Sequence, residues 1–451
     1  MNKYLHFQDI VVKNYGKTFG EFTNTFIKSI SIDSRSLEKG DLFIALRGPS
    51  NDGHNFIKVA ERKGASCFVV EENINTKKPY ILVDDTYKFL NKLAVQTREE
   101  FRGTVISVTG SNGKTTTKEI LYSILSSVGS CHKTKGNKNN QIGVPLSLSS
   151  LNKENRFSII EIGSNSPGEI NQLSQIVRPD VGLITNATSS HLEGLGSIAK
   201  VAFEKGFILE NIEKEGKAIL PRDSLFFEEW NKRAKTLSVI SFGTSLKSDV
   251  LLESVKMNVS KNLMFFKIRL LGSVLECQMR TIGIHNAINA SAAFAVALAL
   301  DLDLEKLSKN LMNVKFPSRR LSVHKARQDS LLIDDSYNAN PESMKRSLDV
   351  LDKMRYKQRF FVAGEMAELG NDGEFYHEEV CKYSKGKTDE FLCIGDLWNS
   401  GLKKTSFKGK KFNTKDDLFD YLIKKINKDS VIMVKGSRSS SMEYIVDKLK
   451  I

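Results

Sequence analysis

Cysteine is sparse: Cys67, Cys131, Cys277, Cys381 and Cys393 are scattered, with no close pair. That argues against a disulfide framework or a cysteine-based zinc site, and for a reducing compartment. Long apolar runs are missing too. The longest, ASAAFAVALAL at 290–300, is too short to cross a bilayer and reads as a buried helix, so no integral membrane segment is expected. The opening MNKYLHFQDI has no apolar core of signal-peptide length, and the expected location is the cytoplasm. Proline and glycine are modest at 8 and 30 residues, and no internal repeat or low-complexity linker interrupts the chain. With 40% apolar residues this fits a soluble globular protein. At 451 residues, two to four domains are expected.

The net charge is +14, which raises the question of nucleic acid. The lysines are spread widely, however, and the small clusters at 403–411 and 424–428 carry no interleaved aromatics on a recognisable binding module. The expected partners are anionic small molecules, not nucleic acid.

Residues 105–117 read VISVTGSNGKTTT, a β-branched run followed by Gly110 and then Gly113, Lys114 and Thr115. The pattern predicts a strand ending in a phosphate cradle and turning into a helix over TTKEILYSIL. Glycines let backbone N–H groups close around an oxyanion, and the helix N-terminus adds free N–H groups and the positive end of its dipole. Lys114 supplies a mobile positive charge and Thr115 a hydroxyl for Mg²⁺. Only Ser111 and Asn112 separate the two glycines, where the usual P-loop has about four residues. Gly-Lys-Thr in isolation fits a surface turn. The preceding strand, the second glycine and the long amphipathic helix favour a nucleoside triphosphate.

Three regions separate. Residues 1–98 are mixed, with short strands (DLFIAL, SCFVV, YILV) and helices near 55–64 and 86–101. Residues 99–314 alternate strands at 157–162, 181–185, 217–220 and 237–242 with helices, which predicts a doubly wound, mainly parallel sheet. Consecutive strand runs at 250–282 predict a small antiparallel insertion, and helices at 285–300 and 304–312 close the region. Residues 315–451 carry strands at 330–334, 359–363, 391–394 and 431–434 with helices between, a second, Rossmann-like α/β unit. The fold class is therefore α/β in three domains.

An ordered set of strings runs through nearly the whole chain: SIDSR (31–35), GDLFIAL (40–46), DGHNF (52–56), TGSNGKTTTKE (109–119), GNKNNQIGVPL (136–146), EIGSNSPGEI (161–170), ITNATSSHLEGLGS (184–197), GIHNAINASAA (283–293), IDDSYNANPESM (333–344), GEMAELG (364–370) and VKGSRSSSME (435–443). Together they resemble the ATP-dependent Mur ligases of peptidoglycan synthesis. DSYNANP, EMAELG and KGSR are similar to the branch that adds D-alanyl-D-alanine. The resemblance implies transfer of the ATP γ-phosphate to a carboxylate of UDP-N-acetylmuramoyl-tripeptide. The dipeptide amine then attacks the acyl phosphate. It implies two Mg²⁺ ions and a monomer. The neighbouring readings are another Mur ligase, a folylpolyglutamate synthase-like ligase, or an ATP-binding regulatory protein that has lost catalysis.

The resemblance also implies residue roles. Gly110, Ser111, Asn112, Gly113, Lys114, Thr115 and Thr116 would hold the ATP phosphates, with Lys114 on the β- and γ-phosphates. Thr115, Glu161 and His191 would serve the metal side. Lys205 would carry a carbamate formed with CO₂; an unmodified surface lysine is the competing reading. Relatives usually have an acidic residue where this chain has Phe207. Asn139, Asn140 and Gln141, with His285 and Asn286, match the adenine side, although turn-forming and helix-capping roles suit such residues equally. Arg320, Asp335 and Tyr337 would face the nucleotide as the domains close, with Asn338, Asn340 and Pro341 shaping their loop. Relatives place glycine where this chain has Arg319. Glu365 replaces a commoner aspartate, and LPRDS (220–224) replaces an Asn- and Asp-rich turn. Lys435, Ser437 and Arg438 suit the dipeptide carboxylate. Ser34, Arg35, Arg47, Asp52, Gly53 and His54 would hold the UDP part.

Overall fold

The structure is a computed structural model and describes residues 5–6, 16–21, 25–48, 51–404 and 409–451. Most of MNKYLHFQDI and part of the basic stretch 403–411 lie outside the described residues. The chain divides into two compact units, one of Met1–Val105, Ser130–Ile162 and Gln172–Arg178, the other of Ile106–Gly129, Gly163–Asn171 and Pro179–Ile451.

The first unit is built on a five-stranded sheet in the order Lys17–Phe19, Tyr80–Leu82, Cys67–Val70, Leu42–Ile44, Ile30–Ser31. Only the edge strand Lys17–Phe19 is antiparallel. The strand CFVV is buried at all four positions, as expected of a strand covered on both faces. The helix Thr86–Glu100 starts where the Asp85 carboxylate accepts from the Lys88 N–H. It lays Phe89, Leu90 and Leu93 into a core with Ile44, Val69, Ile81 and Leu146. Cys131–Lys133 and Phe157–Glu161 pair in parallel within this unit, so Glu161 ends a fully buried strand.

In the second unit, Ile106 to Thr109 pairs in parallel with Val181–Ile184, followed by Lys217–Pro221, Ser238–Gly243 and the start of Val250–Asn258. From there the sheet turns antiparallel through Leu263–Leu270 and Ser273–Met279. Burial alternates along Leu263–Leu270, so this antiparallel insertion has one wet face. The helix Ile284–Ala299 holds ASAAFAVALA, with Ala292 to Ala297 fully buried. Among the described residues, no helix is long and apolar enough to cross a membrane.

The same unit contains a six-stranded sheet in the order Ser322–Lys325, Leu331–Asp335, Ser430–Lys435, Gln358–Ala363, Glu390–Ile394, Gly409–Phe412, parallel except for its first strand. One core cluster continues from Leu192, Leu195 and Val201 to Ile333, Met344 and Leu348. It seats the loops at the carboxyl ends of Leu331–Asp335 and Ser430–Lys435 near the phosphate-loop segment. Carboxyl ends of parallel strands are where ligands bind in open α/β sheets.

Candidate functional site

The glycine-lysine loop is braced from the end of the neighbouring parallel strand. Thr185 Oγ1 donates to the Asn112 carbonyl at 2.7 Å, and Asn186 Nδ2 donates to it at 3.0 Å. The Asn112 N–H donates to Asn186 Oδ1 at 2.9 Å, and the Ser111 N–H to the Asn186 carbonyl at 3.0 Å. Ser190 Oγ reaches Ser111 Oγ at 2.7 Å. So ITNATSSH, which reads as a loop, is the scaffold of the phosphate cradle. Gly110 has φ 138° and Gly113 φ 83°. A Cβ on Gly110 would lie 2.0 Å from Thr185 Oγ1, and one on Gly113 2.5 Å from Asn289 Oδ1. Only glycine fits both places. Gly113→Ala is expected to weaken ATP binding at least about tenfold, because the loop must open to admit the methyl group. ATP titration by calorimetry checks this, and wild-type affinity would refute it.

Lys114 opens the helix Lys114–Leu125 and folds back, Nζ donating to the Gly110 carbonyl at 2.6 Å and to that of Ser111 at 3.2 Å. Thr115 and Thr116 are buried in the first turn. Arg320 Nη2 lies 3.4 Å from Thr115 Oγ1, and the guanidinium stacks 4.2 Å over the Tyr337 ring. Asn112 and Asn340 exchange side-chain hydrogen bonds at 2.9 and 3.3 Å. Asn340 also caps the helix Pro341–Asp352, with Ser343 completing a capping box and Pro341 at the first turn. The structure therefore gathers the phosphate loop, Arg320, Tyr337 and Asn340 in one place.

Lys205 is fully buried, not on the surface. Nζ donates to Ser164 Oγ at 2.7 Å. Burial lowers its pKa to about 7, helped by the charge of Lys114 and opposed by Glu204 and Glu169. Glu204, 2% exposed, accepts the backbone N–H groups of Gly168 and Ile170, both at 2.8 Å, at the start of Glu169–Val177. It thereby fixes the loop that carries Ser164. Glu204 and Ser164 are not among the residues predicted from sequence; an acid next to Lys205 is the one local signal. Phe207 stacks edge-on with Phe203, and Arg233 lies 4.8 Å over its ring. Glu204→Ala is expected to cost about 1–3 kcal/mol in urea unfolding, since two buried donors lose their acceptor. An unchanged midpoint would sink that role.

His191, at φ 53°, begins the short helix Leu192–Leu195. Glu368 Oε2 lies 2.6 Å from its Nδ1. The histidine contact, with the charge of Lys114, holds the Glu368 carboxyl below its usual range despite partial burial. Asp335 is bound on every side, accepting from the Leu321 N–H at 3.2 Å, Ser347 Oγ at 2.7 Å and Lys435 Nζ at 2.5 Å. Lys435 also donates to the Asn338 carbonyl at 3.1 Å. Its charge thus faces Asp335 in this structure. Arg438 Nη1 pairs with Glu443 at 2.6 Å, and Ser437 Oγ donates to the Glu365 carbonyl at 2.6 Å. Burial raises the Asp334 carboxyl against its bonds from Ser336. Arg319 adopts φ 63°, the left-handed region, which accounts for glycine in relatives.

Asn140 and Asn286 bond to nearby segments of the chain. Asn140 Oδ1 accepts from the Gly143 N–H at 2.9 Å, and Asn286 Nδ2 donates to Thr281 Oγ1 and the Ile282 carbonyl. Asn139 Nδ2 donates to Glu161 Oε1 at 2.8 Å. His285 has a buried Nδ1 without a protein partner, and burial pushes its pKa down to about 4. In the first unit, Asp52 joins Arg47 at 2.8 Å and His54 Nδ1 at 2.6 Å, while His54 Nε2 accepts from the Glu71 N–H at 2.9 Å. Both nitrogens of His54 are engaged and its side chain is 5% exposed, so it shapes the loop and does not reach solvent. Burial would raise the Asp52 carboxyl, but these bonds outweigh it and hold it at about 2. Arg35 pairs with Asp33 at 2.8 Å, and Ser34 is buried beside it. In LPRDS, Asp223 caps the N–H groups of Thr244 and Ser245, a local structural role.

Known proteins fit this arrangement along the whole chain. The Mur ligase family catalytic-domain model matches residues 26–103, the Mur ligase middle-domain model 108–297, and the Mur ligase glutamate ligase domain model 319–438. UDP-N-acetylmuramoyl-tripeptide–D-alanyl-D-alanine ligase of Buchnera aphidicola is 34% identical over 99% of this chain and 98% of its own length. The crystal structure of MurF from Acinetobacter baumannii superposes with a TM-score of 0.90 at 32% identity, covering 98% of both chains. MurF ligase from Thermotoga maritima in complex with ADP gives 0.80 at 27% identity, covering 93% of this chain and 96% of that one. With a braced phosphate loop and the family's ordered strings in place, the chain belongs to the Mur ligase family.

Proposed function

We propose that the chain joins D-alanyl-D-alanine to the free carboxylate of UDP-N-acetylmuramoyl-tripeptide at the expense of ATP, as a cytoplasmic, monomeric enzyme. The observation that supports this most is the braced glycine-lysine loop, in a chain similar from end to end to ligases of that name. The division into 1–98 for the UDP substrate, 99–314 for ATP and 315–451 for closure belongs to the same reading.

Lys114 and the N–H groups of 110–116 bind the β- and γ-phosphates and neutralise charge as the γ-phosphoryl moves to the carboxylate oxygen. The dipeptide amine then forms the C–N bond, the C–O bond to phosphate breaks, and inorganic phosphate and a proton leave. Among the described residues no group of three or more His, Cys, Asp or Glu forms a metal cage. Mg²⁺ takes one or two protein oxygens and completes its shell with phosphates and water. Thr115, Glu161 and His191 would hold two such ions, whose charge offsets that of the phosphates. Lys205 has the buried amine of low pKa that combines with CO₂, releasing a proton and leaving a carbamate beside Ser164. Arg320 and Tyr337 orient the nucleotide, and the unpartnered Nδ1 of His285 suits an adenine edge. Arg47 and Arg35 serve the UDP diphosphate, and Arg438 the dipeptide carboxylate.

Phosphate release is expected only when ATP, Mg²⁺, the UDP-tripeptide and D-alanyl-D-alanine are all present. Running the assay with diaminopimelate- and lysine-containing tripeptides also identifies stem residue three. Release that proceeds equally with L-glutamate in place of the dipeptide would overturn the assignment.

A further inference from the structure

His191 and Glu368 meet at two turns that both hold a non-glycine residue in the left-handed region, at φ 53° and 62°. Such conformations are costly and persist where the surroundings enforce them, which is often at working sites. Here the surroundings are visible. The Glu193 N–H donates to the Glu368 carbonyl at 3.1 Å, and the Leu195 N–H to that of His191 at 2.9 Å. A Cβ on Gly370 would lie 3.5 Å from the Glu193 Cα, so the two turns touch backbone to backbone. Asn112 and Asn340 hold the same two chain regions together. The backbone bond alone would suffice to dock the loops. The Glu368 side chain does more: it brings Oε2 to 2.6 Å from Nδ1, a short contact off the axis of a ring N–H.

We propose that Glu368 is a positioning residue for His191. With Nδ1 engaged by the carboxylate, the imidazole keeps one orientation and only Nε2 for any further ligand. The carboxylate comes from the GEMAELG loop and the histidine from TSSHLEG. The histidine is therefore set only while the 364–370 loop is seated on 191–196, which makes seating of the third region a condition for a complete site. This rests on the reading that His191 works on the metal side of the nucleotide.

The test uses the full chain as Glu368→Ala, Glu368→Gln, His191→Ala and the double alanine variant. Phosphate release is followed against Mg²⁺ and ATP, Mg²⁺–ADP affinity by calorimetry, and folding by thermal melting. Glu368→Ala is expected to lower kcat about tenfold or more and to raise the Mg²⁺ needed for half-maximal rate several-fold, with the dipeptide KM within about twofold. Glu368→Gln, which keeps the shape, is expected to retain part of the rate and decides the matter should the alanine variant fold poorly. In the His191→Ala background, removing Glu368 is expected to change rate and Mg²⁺–ADP affinity by less than about twofold. Equal losses in both backgrounds overturn the pairing and leave the assignment of His191 standing. A lowered melting midpoint with an unchanged Mg²⁺ requirement overturns it too, since that marks a clamp only. A fully active His191→Ala overturns the metal-side reading itself, and the inference with it.

Discussion

Lys114→Ala is expected to lower kcat by about a thousandfold or more, while thermal stability stays near that of the parent chain. The rate effect follows from the charge that phosphoryl transfer spreads over the γ-oxygens in a water-poor site. There, one preorganised donor is worth about 10²–10³ in rate, and a cation acting on the transferred group more. Stability is spared because the Nζ bonds to the Gly110 and Ser111 carbonyls lie within its own loop. Those carbonyls turn to water or to the neighbouring loop when the side chain goes. Lys114→Arg is expected to recover little. A guanidinium is larger than the ammonium, and the loop is closed around two glycines whose missing Cβ space is already filled by Thr185 and Asn289. Single-turnover phosphate release with both substrates, beside a melting curve, measures both quantities. Amide formation near the parental rate would remove Lys114 from the mechanism.

Much of this site was legible in the chain, for a physical reason. The strand-to-helix turn at 105–117 is encoded locally, by a β-branched run, two glycines that need positive φ, and an amphipathic helix. The parallel sheets were readable from strands alternating with helices, and the insertion from its consecutive strand runs. The sequence reading stopped where the partner of a residue lies far along the chain. The competing reading of Lys205 as a helix-surface lysine stayed open because its contact with Ser164 and Glu204's bonds to 168–170 arise only on folding. Nothing local discloses that Glu71 and Asp335 engage His54 and Lys435. Asn140 and Asn286 carried two readings, and their bonds to Gly143 and to Thr281 and Ile282 depend on backbone geometry, which composition does not record. Glu368 was quoted inside a motif without a role, since its partner His191 sits in a different region.

Lys205 separates activity from stability in opposite directions. Lys205→Ala is expected to be inactive with the parental assay and partly restored by millimolar formate or acetate, whose carboxylate replaces that of the carbamate. A short acid can enter only because the substitution leaves space where a long side chain was fully buried. Lys205→Met keeps that volume filled and is expected to be inactive without rescue. In CO₂-depleted buffer at neutral pH, however, it is expected to melt higher than the parent. Burial, with the charge of Lys114, lowers the folded pKa from 10.5 to about 7. Between those values the unfolded chain holds the proton that the folded chain has released. Stability therefore rises with pH through that window and carries the full penalty below it. The displacement corresponds to roughly 5 kcal/mol at its largest, and methionine removes it. The same pKa sets the acid limb of the rate. Carbamate formation needs the neutral amine, so at fixed CO₂ the activity of the parent is expected to fall as pH drops through about 7. A Lys205→Ala variant with full activity and no response to added acids would remove the carbamate. A methionine variant that melts lower than the parent would show that the amine is not held against a desolvation penalty.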